Sequence, residues 1–122
     1  MEPDAPLIPM PELTLPGLRR AVAVVVPSRL PEFFDEMQKA FVQAGEDDSV
    51  LPIRMFYRRW GVVVEIERHP RTAQRLHAAE AALNSEDADV RARAVREAGE
   101  IVRAAHREVA GDSFAPGFTT VG

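Results

Sequence analysis

The residues best able to do chemistry cluster in the middle of the chain. Arg54, Arg58, Arg59, Arg68, Arg71 and Arg75 lie there with Tyr57 and the single Trp, Trp60. A guanidinium binds carboxylate or phosphate through a planar fork and stacks on rings. Aromatic faces beside such cations suit phosphate or RNA contact. Arg, Tyr and Trp are equally the residue types that dominate protein interfaces. Arg54, Tyr57, Arg58, Arg59, Arg68, Arg71 and Arg75 therefore form the candidate partner-binding set. The partner would be another protein, a second copy of this chain or, as the alternative, a nucleic acid. A third reading needs no partner: the arginines pair within the molecule with the acids of residues 32–48.

Charge distribution fits each of these. Residues 1–49 hold four basic and nine acidic side chains, residues 50–84 six and three, and residues 85–122 five and seven. The basic middle is thus flanked by acidic segments. The net charge of −4 argues mildly against a dedicated nucleic-acid binder.

Other constellations are weaker. Glu65 and His69 stand at i, i+4, and His77 and Glu80 at i, i+3, so either pair could offer two ligands on one helical face. Carboxylate-bridged two-metal bundles use Glu-x-x-His on each of two helices. Here the order is reversed and occurs once, so surface histidines are the expectation, His106 included. Ser28, Ser49 and Ser85 stand where helices need caps, and the seven glycines are too scattered for a phosphate loop. Asp35 and Glu36 read as the polar face of a helix. No enzyme, cofactor or metal is expected.

At 122 residues the chain suits one domain with a core that needs no staples. With no cysteine, it has no disulfide, no thiolate nucleophile and no cysteine-ligated zinc. The longest apolar run, Ala21–Val26, is far below the roughly 20 residues that span a bilayer. No basic-then-apolar signal opens the chain, so a cytoplasmic protein without membrane partners is expected. Fourteen Arg against one Lys suggests a GC-rich bacterial genome.

The elements that must position these residues centre on Ser49–His69. Read as a helix from Val50 to about Arg68, it places Ile53, Phe56, Trp60, Val63 and Val64 on one stripe and Met55, Val62 and Ile66 on a second. A narrow polar strip, Arg54–Arg58–Gly61–Glu65, would form an exposed edge. A helix apolar around most of its girth is buried among others. The β-branched run at 61–67 keeps a strand there as the competitor, as the valines do at 21–26.

Five prolines in residues 1–16 predict extended chain, either a flexible tail or a segment docked through Leu7, Ile8, Met10, Leu13 and Leu15. Residues 17–26 predict a short helix ended by Pro27. The next helix is capped by Ser28, has Pro31 in its first turn and closes at Gly45. It carries Leu30, Phe33, Phe34, Met37, Ala40, Phe41 and Ala44 at amphipathic spacing. Glu46-Asp47-Asp48 reads as an exposed acidic turn. Further helices follow at about 70–83, with Ala73, Leu76, Ala79 or Glu80, and Leu83 inward, and at about 86–110. The latter turns Val90, Ala94, Ala98, Ile101, Ala105 and Val109 inward, with Gly111 as its stop. Residues 112–122 read as a flexible tail with Phe114 and Phe118 as anchors.

The run Leu30-Pro31-Glu32-Phe33-Phe34-Asp35-Glu36-Met37, followed by Pro52-Ile53-Arg54-Met55-Phe56-Tyr57-Arg58-Arg59-Trp60, resembles a family of small actinobacterial helical proteins of unknown function, sometimes grouped with antitoxins. The likeness covers about residues 18–70 and rests on a Pro-x-x-Phe helix start, a polar turn and a second helix ending near Arg-Trp. It implies a helical core and an antitoxin-like masking role, and it carries over no functional residues. The expectation is therefore an all-α bundle of four main helices plus a short N-terminal one, spanning 17–111 between two flexible tails. Its expected role is a non-enzymatic protein-protein interaction or regulatory one.

Overall fold

The computed structural model describes the backbone of residues 5–121 and the side chains of residues 5–110. Its elements are α1 (Leu15–Val25), a single 3-10 turn (Pro27–Arg29), α2 (Leu30–Asp47), α3 (Leu51–Glu67), α4 (Pro70–Ala82) and α5 (Ala88–Val121). Among the described residues there is no strand, and no helix is long and apolar enough to cross a membrane. The two ambiguous valine runs are helical except at Val26, which caps the end of α1. At 62–64 the reason is visible in the packing, since Val62 and Val64 are buried in different hydrophobic clusters on different sides of α3.

Proline sets where the helices begin. Each of α1 to α4 carries one in its first turn (Pro16, Pro31, Pro52 and Pro70), where the missing N–H leaves no bond unmade. Thr14 caps α1, its hydroxyl accepting from the Gly17 N–H at 3.2 Å. Asp87 caps α5, accepting from the N–H groups of Asp89 at 2.8 Å and Val90 at 3.3 Å. The Ser49 hydroxyl accepts from the Leu51 N–H at 3.1 Å.

Two expected boundaries differ. Ser28 does not cap α2: it lies in the 3-10 turn, and the position before α2 is Arg29, which makes no side-chain cap bond. Gly45 does not end α2 either. The helix runs on through Glu46 and Asp47, and Asp48 takes the left-handed conformation, φ 51°, with its N–H bonded to the Ala44 carbonyl. Asp is among the few non-glycine residues that tolerate that region. A Cβ added at Gly45 would meet no atom within 4 Å. Gly45→Ala is therefore expected to stabilise the protein by about 1 kcal/mol, the helix-propensity difference. Thermal unfolding checks this with a rise in Tm of about 4 °C; a fall would return Gly45 to the role of a left-handed cap.

α3 contacts all four other helices. On one side Phe56, Trp60 and Val64 pack with Leu18, Ala21 and Val22 of α1 and Phe33 of α2. On the other, Val62 and Ile66 pack with Ala73 and Leu76 of α4 and Ile101, Ala105 and Val109 of α5. Ala79 and Ala94 are also buried as expected, whereas Leu83 is exposed.

A strap from the N-terminal segment crosses α3. Residues 5–12 take no helix, as their prolines require, yet Met10 and Leu13 pack against both clusters. Gly61 permits this crossing, because a Cβ there would come within 2.9 Å of Leu13 and 3.3 Å of Val109. The docked form of this segment, rather than a free tail, is thus observed for its described part. The stop expected at Gly111 and the tail expected at 112–122, with its Phe anchors, lie outside the residues whose side chains are described; α5 is bounded by Ala88 and Val121.

Candidate interaction surface

The seven sequence-predicted site residues do not form one face. Arg59 lies on the seam between α2 and α3. Its Nε donates to the Glu36 carboxylate at 2.8 Å, and the Trp60 indole N–H donates to the same oxygen at 3.0 Å. Next to it, Arg29 donates to Glu32 at 2.9 and 3.0 Å while its guanidinium lies 4.9 Å from the centre of the Trp60 ring. The hydrogen bond from Arg29 holds the Glu32 carboxyl below its ordinary range. This contribution is complete above the ordinary carboxylate range and is lost as pH falls through the lowered value. The pairing of middle arginines with the acids of α2 is thus observed for Arg59.

Arg68 is a structural residue. It donates to the buried Glu65 at 2.9 Å and to the Ile8 carbonyl at 3.2 Å, while its own carbonyl accepts from the Leu7 N–H at 2.7 Å. His69 approaches the other Glu65 oxygen at 3.4 Å. The expected exposed edge through Glu65 is corrected here: strap and α5 cover the inner half of that strip, and Glu65 retains 8% of its surface. Arg75 bonds Glu97 at 2.8 Å and staples α4 to α5. Arg71 is exposed at the start of α4. Tyr57 is half-buried, its ring 5.9 Å from that of Phe56. Arg54 and Arg58 are exposed on α3 and make no ion pair among the described residues.

The histidines do not gather either. His77 pairs with Glu67 at 2.8 Å rather than with Glu80. No group of three or more His, Asp or Glu able to hold a metal ion occurs among the described residues.

The outer end of the α2–α3 hairpin is the feature that sequence reasoning missed. Of the apolar stripe on α2, only Phe33 is fully buried; Phe34 stays 42% exposed and Phe41 45%. Val42, Val50, Leu51 and Met55 are exposed as well, Leu51 by 58% and Met55 by 61%. At Phe41 and beyond, helix lengths explain it. α2 has 18 residues and α1 has 11, so at 1.5 Å per residue α1 falls about 10 Å short of covering its neighbour. The signal was therefore present in the sequence, in the unequal spacing of Pro16, Pro27 and Pro31 against the acidic turn.

From Met55 the bare surface runs into a groove of about 460 Å³ between α3 and the α4–α5 pair. Val62, Val63, Ile66, Leu76 and Val102 contribute apolar lining, while Arg58 and Arg59 lie on one side and Glu80 and His106 on the other. The hairpin end thus carries exposed apolar side chains and two arginines without an ion pair among the described residues. Compared with protein-family models, with curated proteins and with solved structures, the chain shows no significant match.

Proposed function

We infer that the protein is a non-enzymatic interaction protein that works by presenting the outer end of its α2–α3 hairpin to another protein chain. The observation that carries this reading is the exposure of Phe41, Leu51 and Met55 on the same hairpin as Arg54 and Arg58, which make no ion pair among the described residues. Soluble monomers rarely leave contiguous apolar surface of more than a few hundred Å² uncovered, and larger patches mark interaction sites. Exposed Arg around an apolar centre is the composition of a protein interface. A regulatory role follows from such a surface if binding masks the partner, which is the antitoxin-like action that the family resemblance implies.

The test is recovery of partners from a lysate of the native host with the tagged protein, with and without nuclease. The wild type is compared with the double variant Leu51→Ser/Met55→Ser. Both side chains are exposed, so the variant should keep its stability to within about 1 kcal/mol. A protein retained after nuclease by the wild type, and reduced at least tenfold in the variant, is the expected result. Nuclease-sensitive recovery that the variant leaves unchanged would instead favour a nucleic-acid-binding regulator using Arg54 and Arg58.

A further inference from the structure

The charges at the hairpin end identify a partner, and this inference rests on the reading just given. The last turn of α2 carries Glu46 and Asp47 and no basic residue, and Asp48 follows. Negative charge at a helix C-terminus opposes the helix dipole. Asp48 also holds a backbone conformation that glycine would adopt without strain. No cation pairs with Glu46, Asp47 or Asp48 among the described residues. Asp47 accepts from the Gln43 side-chain amide at 2.9 Å and Asp48 closes α2, yet an acidic helix C-terminus without a cation among the described residues is a broken local rule of the kind that marks sites of function.

Further along, Leu51, Met55 and Arg58 share one face of α3 at i, i+4 and i+7, with Arg54 at its edge. From the turn at the end of α2 along that face of α3, the order is acidic, apolar, basic. Reversed, it is its own complement. We propose that the hairpin end is a homodimer interface in which α3 packs antiparallel against α3 of a second copy, about a two-fold axis level with Ile53. Leu51 and Met55 are equally spaced about position 53 along the helix; the turn carrying Asp48 lies before the first residue of α3, and Arg58 lies beyond Met55 on the other side. Each Leu51 therefore meets the second copy's Met55, and each acidic run meets the second copy's Arg58. An interface of this kind uses the same patch on both molecules.

Leu51 and Met55, 58% and 61% exposed, form the apolar centre of this contact. The acids and the two arginines, all exposed, form its charged rim.

Sedimentation equilibrium of the full chain over roughly 1–200 μM tests this. A dimer is expected. Arg58→Glu should raise its dissociation constant at least tenfold, and so should Glu46→Arg/Asp47→Arg. The combined triple variant should return to within about threefold of the wild type, since the charges are exchanged rather than removed. The α2 replacements place cations where the helix dipole favours them, so a folding defect does not mimic dissociation, and circular dichroism verifies this. A monomer throughout the range overturns the proposal, as does a dimer indifferent to Arg58→Glu or a triple variant no tighter than its parents. A monomer that still captures another protein, lost on Leu51→Ser/Met55→Ser, would overturn self-pairing while leaving the interaction reading intact.

Discussion

Trp60→Ala is expected to destabilise the protein by about 3–5 kcal/mol, lowering Tm by roughly 10–20 °C. Trp60 has no exposed surface and lies at the meeting point of α1, α2 and α3. Its ring stands edge-on to Phe33 at 5.2 Å and lies beneath the Arg29 guanidinium. Truncation removes those contacts together with the indole N–H that reaches Glu36. Trp60→Phe separates the two contributions: it retains most of the ring packing and loses the donor. Glu36 keeps its bond from Arg59, so the Phe variant should lose only about 1–2 kcal/mol. Chemical denaturation measures both. A loss under 1 kcal/mol for alanine would mean that α1, α2 and α3 do not share this core.

Glu65→Ala has the second-largest expected effect, about 2–3 kcal/mol. Removing one member of a fully buried ion pair costs about 3–5 kcal/mol because the other charge is left without compensation. Here the side chains of Glu65 and Arg68 retain 11% and 15% of their surface, which lowers the figure. The variant should also loosen the strap, because Arg68 bonds the Ile8 carbonyl while Glu65 orients it. Limited proteolysis therefore has a specific expected outcome. Cleavage within residues 5–14 should accelerate in Glu65→Ala well before cleavage elsewhere, and Glu65→Gln, which keeps an acceptor for Arg68, should fall between the two. Uniform acceleration along the chain would show general destabilisation without a strap contribution.

Much of the fold was legible because local rules and packing agree. Proline in the first turn marked the starts of α2, α3 and α4, and the spacing of apolar residues gave the inward faces of α3, α4 and α5 except at Met55 and Leu83, which are exposed. The errors have physical causes. Gly45 looked like a stop, but a glycine ends a helix only where the backbone turns left-handed, and here that turn falls three residues later at Asp48. Glu65 looked exposed because periodicity within one helix does not report what crosses it. The strap that buries it comes from a segment more than 50 residues away in sequence. Phe41 looked buried because a hydrophobic stripe shows which face is apolar and not how far its neighbour extends.

The candidate site was less legible than the fold. Arginines counted as one basic patch serve different ends: Arg59 closes the α2–α3 seam, Arg68 holds the strap and Arg75 joins α4 to α5. Only Arg54 and Arg58 remain as exposed arginines of α3 without an ion pair among the described residues. What sets them apart is the bare apolar surface beside them, and that surface is a property of relative helix length.

The most direct test of the hairpin end as the contact surface is site-specific photocrosslinking in the native host. A photoreactive amino acid replaces Met55 in one variant and Arg93, on the solvent face of α5, in another. The account predicts a discrete crosslinked protein product from position 55 and none above background from position 93. Equal yields at both positions, or a product from position 93 alone, would contradict it.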